Sequence, residues 1–202
     1  MDNCIIINGQ RIELTREQIE KIVAANTAEK RELSSFTEGE VVKVGKHEMV
    51  VLEHTGDATV LVCKSLFAED EEFGENNNYA DSNVDTICNG FADAMAAEVG
   101  EDNVVAFEVD LTSDDGLKDY GTINRYAALL TTDQYRRYVH ILDKHKLDDW
   151  WWLVTPHSTP THENANWVKC VSPSGFIFNG IYDRSLGVRP FCILKSNIFV
   201  SA

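Results

Sequence analysis

Between Lys64 and Lys118 the sequence has no Lys or Arg, and that window holds fifteen Asp and Glu. Elsewhere eighteen acids face eighteen bases, so the whole formal charge of -15 resides in about a quarter of the chain. A field of this sign repels nucleic acid and attracts basic protein surfaces. The plainer reading is a solvated face that keeps the protein in solution. Direct binding of DNA or RNA is disfavoured by both. No apolar run approaches the roughly 20 residues needed to cross a bilayer. Met1-Asp2-Asn3-Cys4 lacks the basic start and apolar run of a secretory signal, so the expected setting is cytoplasmic. Five cysteines (Cys4, Cys63, Cys88, Cys170, Cys192) are an odd set with no C-x-x-C pair, which favours reduced thiols over disulfides or zinc. Gly74, Gly90 and Gly100 stand apart, so there is no phosphate-cradling loop. No EF-hand spacing and no nucleophile elbow occur.

What is present reads as one α+β domain with a small N-terminal appendage over 1–35 and a main body over 37–202. Asn8-Gly9 between two apolar runs predicts a β-hairpin. Thr15 and Gln18 form a capping-box pattern, followed by Ile19, Ile22 and Val23 at helical spacing, which predicts a helix over 16–25. Segments 40–44, 49–53 and 58–63 are rich in β-branched residues and punctuated by turns, a three-stranded antiparallel meander. Residues 69–79 lack periodicity and predict a loop. Asp81 or Ser82 caps an expected helix carrying Val84, Ile87, Cys88 and Phe91 to Val99. A short strand over 104–109, a loop over 111–126 and a helix capped by Thr131 through Tyr135, Tyr138 and Leu142 follow.

The stretch 148–190 organises the rest. Trp150-Trp151-Trp152 cannot share one face of a strand, because successive side chains alternate. Trp151 therefore points one way, Trp150 and Trp152 the other, and both faces need cover. A polar loop over 157–166 comes next, then short strands near 168–171, 175–178, 188–194 and 198–200. Polar loops held by rigid strands are common binding sites. Arg189, among apolar neighbours, needs carbonyls or a carboxylate and reads as a pin for the C-terminal strands.

Phe73-Gly74, Asn77-Asn78-Tyr79 with Asp81-Ser82, Asp110-Leu111-Thr112 with Asp114-Asp115-Gly116, and 129–136 stand in order along the chain. Trp151-Trp152-Leu153-Val154-Thr155-Pro156 and Gly187-Val188-Arg189-Pro190 complete the series. With these landmarks, residues 37–201 resemble a family of uncharacterised domains common in bacteriophages, prophages and gut Firmicutes. The resemblance implies a C-type-lectin-like fold, related to the formylglycine-generating enzymes, and supplies scaffold more than chemistry. Val154 stands where that family usually carries an arginine, which removes any ion-pair role of that position.

The expected function is a non-enzymatic phage-type binding protein that engages a host macromolecule in the host cytoplasm, an anti-CRISPR-like inhibitor of a host defence system. The alternative is a virion or surface recognition module for carbohydrate or receptor protein. Candidate partner contacts are Trp150, Trp152, His157, Ser158, Thr159, His162, Glu163, Asn164 and Trp167, then Asp183 and Arg184, and the acidic run Glu69, Asp70, Glu71 and Glu72. The expected partner is a host protein with a basic surface, with no nucleic acid or membrane, and residues 1–35 are a candidate for self-association. His157 and His162 match no metal-ligand spacing. No cofactor is expected, although Asp110, Asp114 and Asp115, or 69–75, offer the oxygen ligands that calcium takes. Catalysis of the formylglycine-enzyme type is disfavoured, since Cys170 and Cys192 fall on expected core strands.

Overall fold

A computed structural model describes residues 4–7, 10–19, 30–80 and 82–202. Strands β1 (Cys4–Ile7) and β2 (Gln10–Glu13) pair antiparallel with Ile7 opposite Gln10, the register of a two-residue connection. The connecting Asn8-Gly9 lies outside the described residues. The capping box is present: Thr15 N donates to Gln18 Oε1 at 2.8 Å, and Gln18 N donates to Thr15 Oγ1 at 3.2 Å. The chain is helical over 16–19, and the rest of the expected helix lies outside the described residues.

β3 (Arg31–Glu32) pairs with β16 (Phe199–Val200), and Leu33 N donates to Ile198 O at 2.8 Å. Leu33 and Phe36 are buried in the core, so the body takes in the chain from Arg31, ahead of the boundary expected at 37. The expected meander is present as β4 (Val41–Val44), β5 (His47–Thr55) and β6 (Ala58–Cys63). β15 (Phe191–Lys195) and β10 (Ala127–Ala128) extend it into a first sheet of order β10-β15-β6-β5-β4.

The period-2 alternation of β6 divides the core. Leu61 and Cys63 face a cluster with Phe91, Ala92 and Met95 of α1 (Asn83–Val99). Val60 and Val62 join Tyr135, Tyr138 and Ile141 of α2 (Thr132–Leu142), together with β11 (Trp151–Pro156). Both helices start on the side chains the sequence offers. Ser82 Oγ accepts from Asp85 N at 3.1 Å, and Thr131 with Gln134 completes a second capping box.

The second sheet joins β11 to β12 (Trp167–Val171), β13 (Ile177–Ile181), β14 (Ser185–Val188) and β7 (Ala68–Glu72), in the order β13-β12-β11-β14-β7. All its pairings are antiparallel except β11 with β14. Three expectations are corrected. Residues 68–72 form a strand, not a loop, because β14 supplies backbone partners that their charged side chains do not disturb. Part of the expected loop at 111–126 is β9 (Thr122–Arg125), paired with β8 (Phe107–Asp110). The single strand expected over 188–194 is two strands, since Arg189 and Pro190 carry the chain from the second sheet into the first.

The fold is α+β. Every residue of β11 is buried. Trp151 meets Tyr135 edge-on at 5.7 Å; Trp152 meets Phe73 at 5.5 Å and donates its indole N–H to Glu71 O at 2.9 Å. These two tryptophans have separate neighbours, as alternation requires, and the buried N–H of Trp152 has the acceptor it needs. Among the described residues no helix is long and apolar enough to cross a membrane.

Candidate functional site

The polar loop 157–166 is held from beneath by two carboxylates and an amide. Asp115 accepts hydrogen bonds from Ser113 Oγ at 2.5 Å, Ser158 Oγ at 2.6 Å and His162 Nδ1 at 2.9 Å. Asp119 Oδ2 accepts from the Thr159 and Thr161 hydroxyls, each at 2.6 Å. Asn77 Nδ2 donates to the carbonyls of Ser158 and Trp167 at 2.9 and 3.1 Å, while its Oδ1 accepts from Tyr120 OH at 2.7 Å. The hydroxyls of Ser113 and Ser158, then His162, hold the Asp115 carboxyl well below the usual carboxylate range. Thr159 and Thr161 lower Asp119 in the same way.

Backbone hydrogen bonds join three segments at this end of the molecule. Asn77 N donates to Ala165 O, Tyr182 N to Asn166 O and Phe73 N to Tyr182 O, at 3.0, 2.9 and 2.8 Å. Of the residues singled out in the sequence, His162, Glu163, Trp167, Asp183 and Arg184 are exposed here, with His157 and Asn164 half-buried. Trp167 is 40% exposed and stands opposite Ile181, also exposed, in the β12–β13 register. Trp150 is half-buried, stacked edge-on against Phe178 at 5.2 Å, with the Arg184 guanidinium 5.2 Å above its ring.

Several of the expected contacts lie apart from this exposed surface. Trp152 is 0% exposed and belongs to the core, where Gly180 leaves room for its ring. Ser158 and Thr159 are buried because their hydroxyls turn inward to Asp115 and Asp119. The acidic run lies on β7, at the opposite edge of the second sheet from β13. Glu72 pairs with Ser185 and so ends close to Arg184, while Glu69, Asp70 and Glu71 lead away from the loop.

Compared with protein-family models, curated proteins and solved structures, the chain matches none. The chemistry of the site therefore stands on its own residues. Cys63, Cys88, Cys170 and Cys192 are buried free thiols. Burial pushes the Cys170 thiol up to about 11 and the Cys192 thiol up to about 12, away from the thiolate that nucleophilic chemistry needs. Ser158 donates its hydroxyl to Asp115 rather than to a histidine. The oxygens considered for calcium are divided: Asp110 accepts from Thr112, Asp114 pairs with Lys169 at 2.7 Å, and Asp115 serves the loop. No group of three or more His, Cys, Asp or Glu among the described residues is arranged to hold a metal ion.

Arg189 is 1% exposed and acts as the pin that the sequence predicts. Its Nε donates to Cys63 O at 2.8 Å, and its Nη2 donates to His145 O at 3.1 Å and Lys64 O at 3.4 Å. The guanidinium lies 5.3 Å from the Trp151 ring centre, and burial lowers its pKa to about 10, still protonated at neutral pH. Val154 is buried in β11, with its N–H donating to Leu130 O at 3.0 Å.

One feature carries no signature in the sequence. A cleft of about 340 Å³ opens between β8, the 112–114 turn and the N-terminus of α2. Its acids and threonines are legible one by one, as calcium-type oxygens and as a helix cap. Only the fold brings them around a common space.

Proposed function

We propose that this chain is a non-enzymatic binding protein that grips a host macromolecule with the end formed by 157–167 and 182–184. The observation that carries the reading is the tethering of the loop by Asp115, Asp119 and Asn77. A loop already fixed by internal hydrogen bonds loses little conformational freedom when a partner docks. Its exposed groups, Trp167 with Ile181 and the polar His162 and Glu163 of the loop, have the make-up of an aromatic anchor with a hydrophilic rim. The acidic excess over 65–117 supports a partner with a basic surface, such as a nucleic-acid-handling defence protein of the host. The resemblance to phage domains supports that setting and a C-type-lectin-like frame.

The test is capture from host lysate with the tagged full chain beside its Trp167→Ala and Glu163→Arg variants. One partner retained by the parent and lost by both variants supports the proposal. Equal retention by all three refutes it. A second reading, recognition of carbohydrate or a surface receptor, is favoured by Phe176 and Phe178, 67% and 48% exposed, because exposed aromatic rings suit stacking on sugars. Glycan binding lost on Phe178→Ala and kept by Trp167→Ala would establish that reading in place of the first.

A further inference from the structure

We propose that the free edge of β13 is a self-association surface, where a second copy of this chain adds its own β13 antiparallel about a twofold axis. The hydrogen bonds of Ser172 N to Phe176 O and of Tyr182 N to Asn166 O, each at 2.9 Å, bracket the β12–β13 register. Antiparallel bonding alternates along a strand, so Phe178 and Gly180 spend their backbone groups on Cys170 and Val168. Ile177, Asn179 and Ile181 therefore turn theirs outward. Among the described residues the one backbone partner these have is Arg184 N, which donates to Ile181 O at 2.9 Å. An unpaired edge is a template for another strand, and charge, proline or cover is the usual guard against it. The other edge of this sheet is guarded, since β7 carries Glu69, Asp70, Glu71 and Glu72. In the first sheet β4 is covered where Lys43 N donates to Ser201 O at 2.8 Å, and β10 has only two residues. β13 has no such guard. From Cys170 to Tyr182 the sequence has no charged residue, and Phe178 and Ile181 are 48% and 37% exposed.

The strand is complementary to itself. Outward backbone groups can meet only outward groups, and an antiparallel pairing centred on Asn179 is the one register that uses all three residues. Asn179 then faces Asn179 of the second copy, and Ile177 faces Ile181 of the second copy, an isologous contact. The facing side chains are alike in kind, amide with amide and isoleucine with isoleucine, which suits cross-strand packing. On the opposite face Phe178 falls against Gly180 of the second copy, which has no side chain to obstruct it. Charge agrees with this register. A net charge of -15 sets two copies against each other, and they meet here where the chain is neutral. Beyond the ladder, the 182–184 turn of one copy comes beside Gly175 of the other. Asp183 and Arg184 there approach Lys146 and Asp143, whose side chains flank Gly175, so each side brings both signs of charge. Trp167 lies one strand further in, and the 157–166 loop is outside the ladder. This inference therefore does not rest on the gripping end, and either proposal can fail without the other.

The test is sedimentation velocity of the full chain over a concentration series, beside its Asn179→Asp and Asn179→Lys variants. Both substitutions fall at an exposed edge position, and each sets like charges face to face on the axis. The parent is expected to dimerise, and each variant alone to dimerise about tenfold more weakly. An equimolar mixture of the two variants should recover the dimer through an Asp–Lys pair, which also shows that both are folded. Amide exchange of the parent should slow with concentration at Ile177, Asn179 and Ile181, and not at Phe178 or Gly180, which β12 already holds. A parent that is monomeric at every concentration overturns the proposal and leaves the edge to a strand of another protein. A dimer that both variants keep, or one whose concentration-dependent protection falls on 4–19, overturns it in favour of association through the N-terminal segment. Weakening in both variants without recovery on mixing overturns the twofold register.

Discussion

The Asp115 carboxylate and the His162 imidazole meet at 2.9 Å across 47 residues of sequence, and with Ser158 they tie the exposed loop to the body. A carboxylate held below its usual range stabilises the folded state above the unfolded pKa and loses that contribution as pH falls. For Asp115 the loop should therefore be firm at neutral pH and loosen progressively below about pH 4, where unfolded aspartate protonates. Amide hydrogen exchange at 158–163, corrected for its intrinsic slowing between pH 7 and pH 3, should be relatively faster at low pH. Asp115→Asn should show the faster rates already at neutral pH. Because the side chain is partly exposed, global stability should fall by no more than about 1 kcal/mol. Unchanged exchange in that variant would show that the tether is not what orders the loop.

Arg189→Lys keeps the charge and loses the planar fork that reaches the carbonyls of Cys63, Lys64 and His145. A buried ammonium with fewer partners should lower stability by about 3 kcal/mol, read from urea midpoints at constant slope. A loss below about 0.5 kcal/mol, the range of ordinary surface substitutions, would remove the pin from the account.

Gly180→Ala places a Cβ 2.7 Å from Cζ3 and 2.9 Å from Cη2 of Trp152, a ring enclosed on every side. The expected destabilisation is about 1–3 kcal/mol, the usual range for an overpacked core. The near-ultraviolet circular dichroism of the indole should change with it. An unaltered spectrum and midpoint would mean that the ring has room the structure does not give it.

In a Cys4→Ser background the native protein should react with Ellman's reagent only as fast as it unfolds, because Cys63, Cys88, Cys170 and Cys192 are buried with thiols pushed upward. Rapid stoichiometric labelling of one of them would reopen a thiolate-based activity.

Local chemistry was the legible part of this chain. The capping box at Thr15, the helix cap at Thr131, the Asn8-Gly9 hairpin, the meander and the divided environments of Trp151 and Trp152 follow from short-range patterns. β7 was hidden because a strand held through backbone pairing with β14 tolerates Glu69, Asp70, Glu71 and Glu72 on its outer edge, where charge also discourages a further strand. The break at Arg189 and Pro190 was hidden because an apolar run does not say which sheet each half joins. Ser158 and Thr159 looked like surface hydroxyls, since nothing local reveals that Asp115 and Asp119, some 40 positions away, would face them. The cleft was hidden for the same reason: Asp110 and Thr132 are made neighbours by β8 and α2, not by spacing.

The passage from β14 to β15 has a thermodynamic consequence. Pro190 O accepts from Cys63 N in the first sheet while Val188 still pairs in the second, and between them Arg189 also reaches the His145 carbonyl beyond α2. This shared connection couples the two sheets, so heating should melt residues 31–202 in one all-or-none step, with calorimetric and van't Hoff enthalpies in agreement.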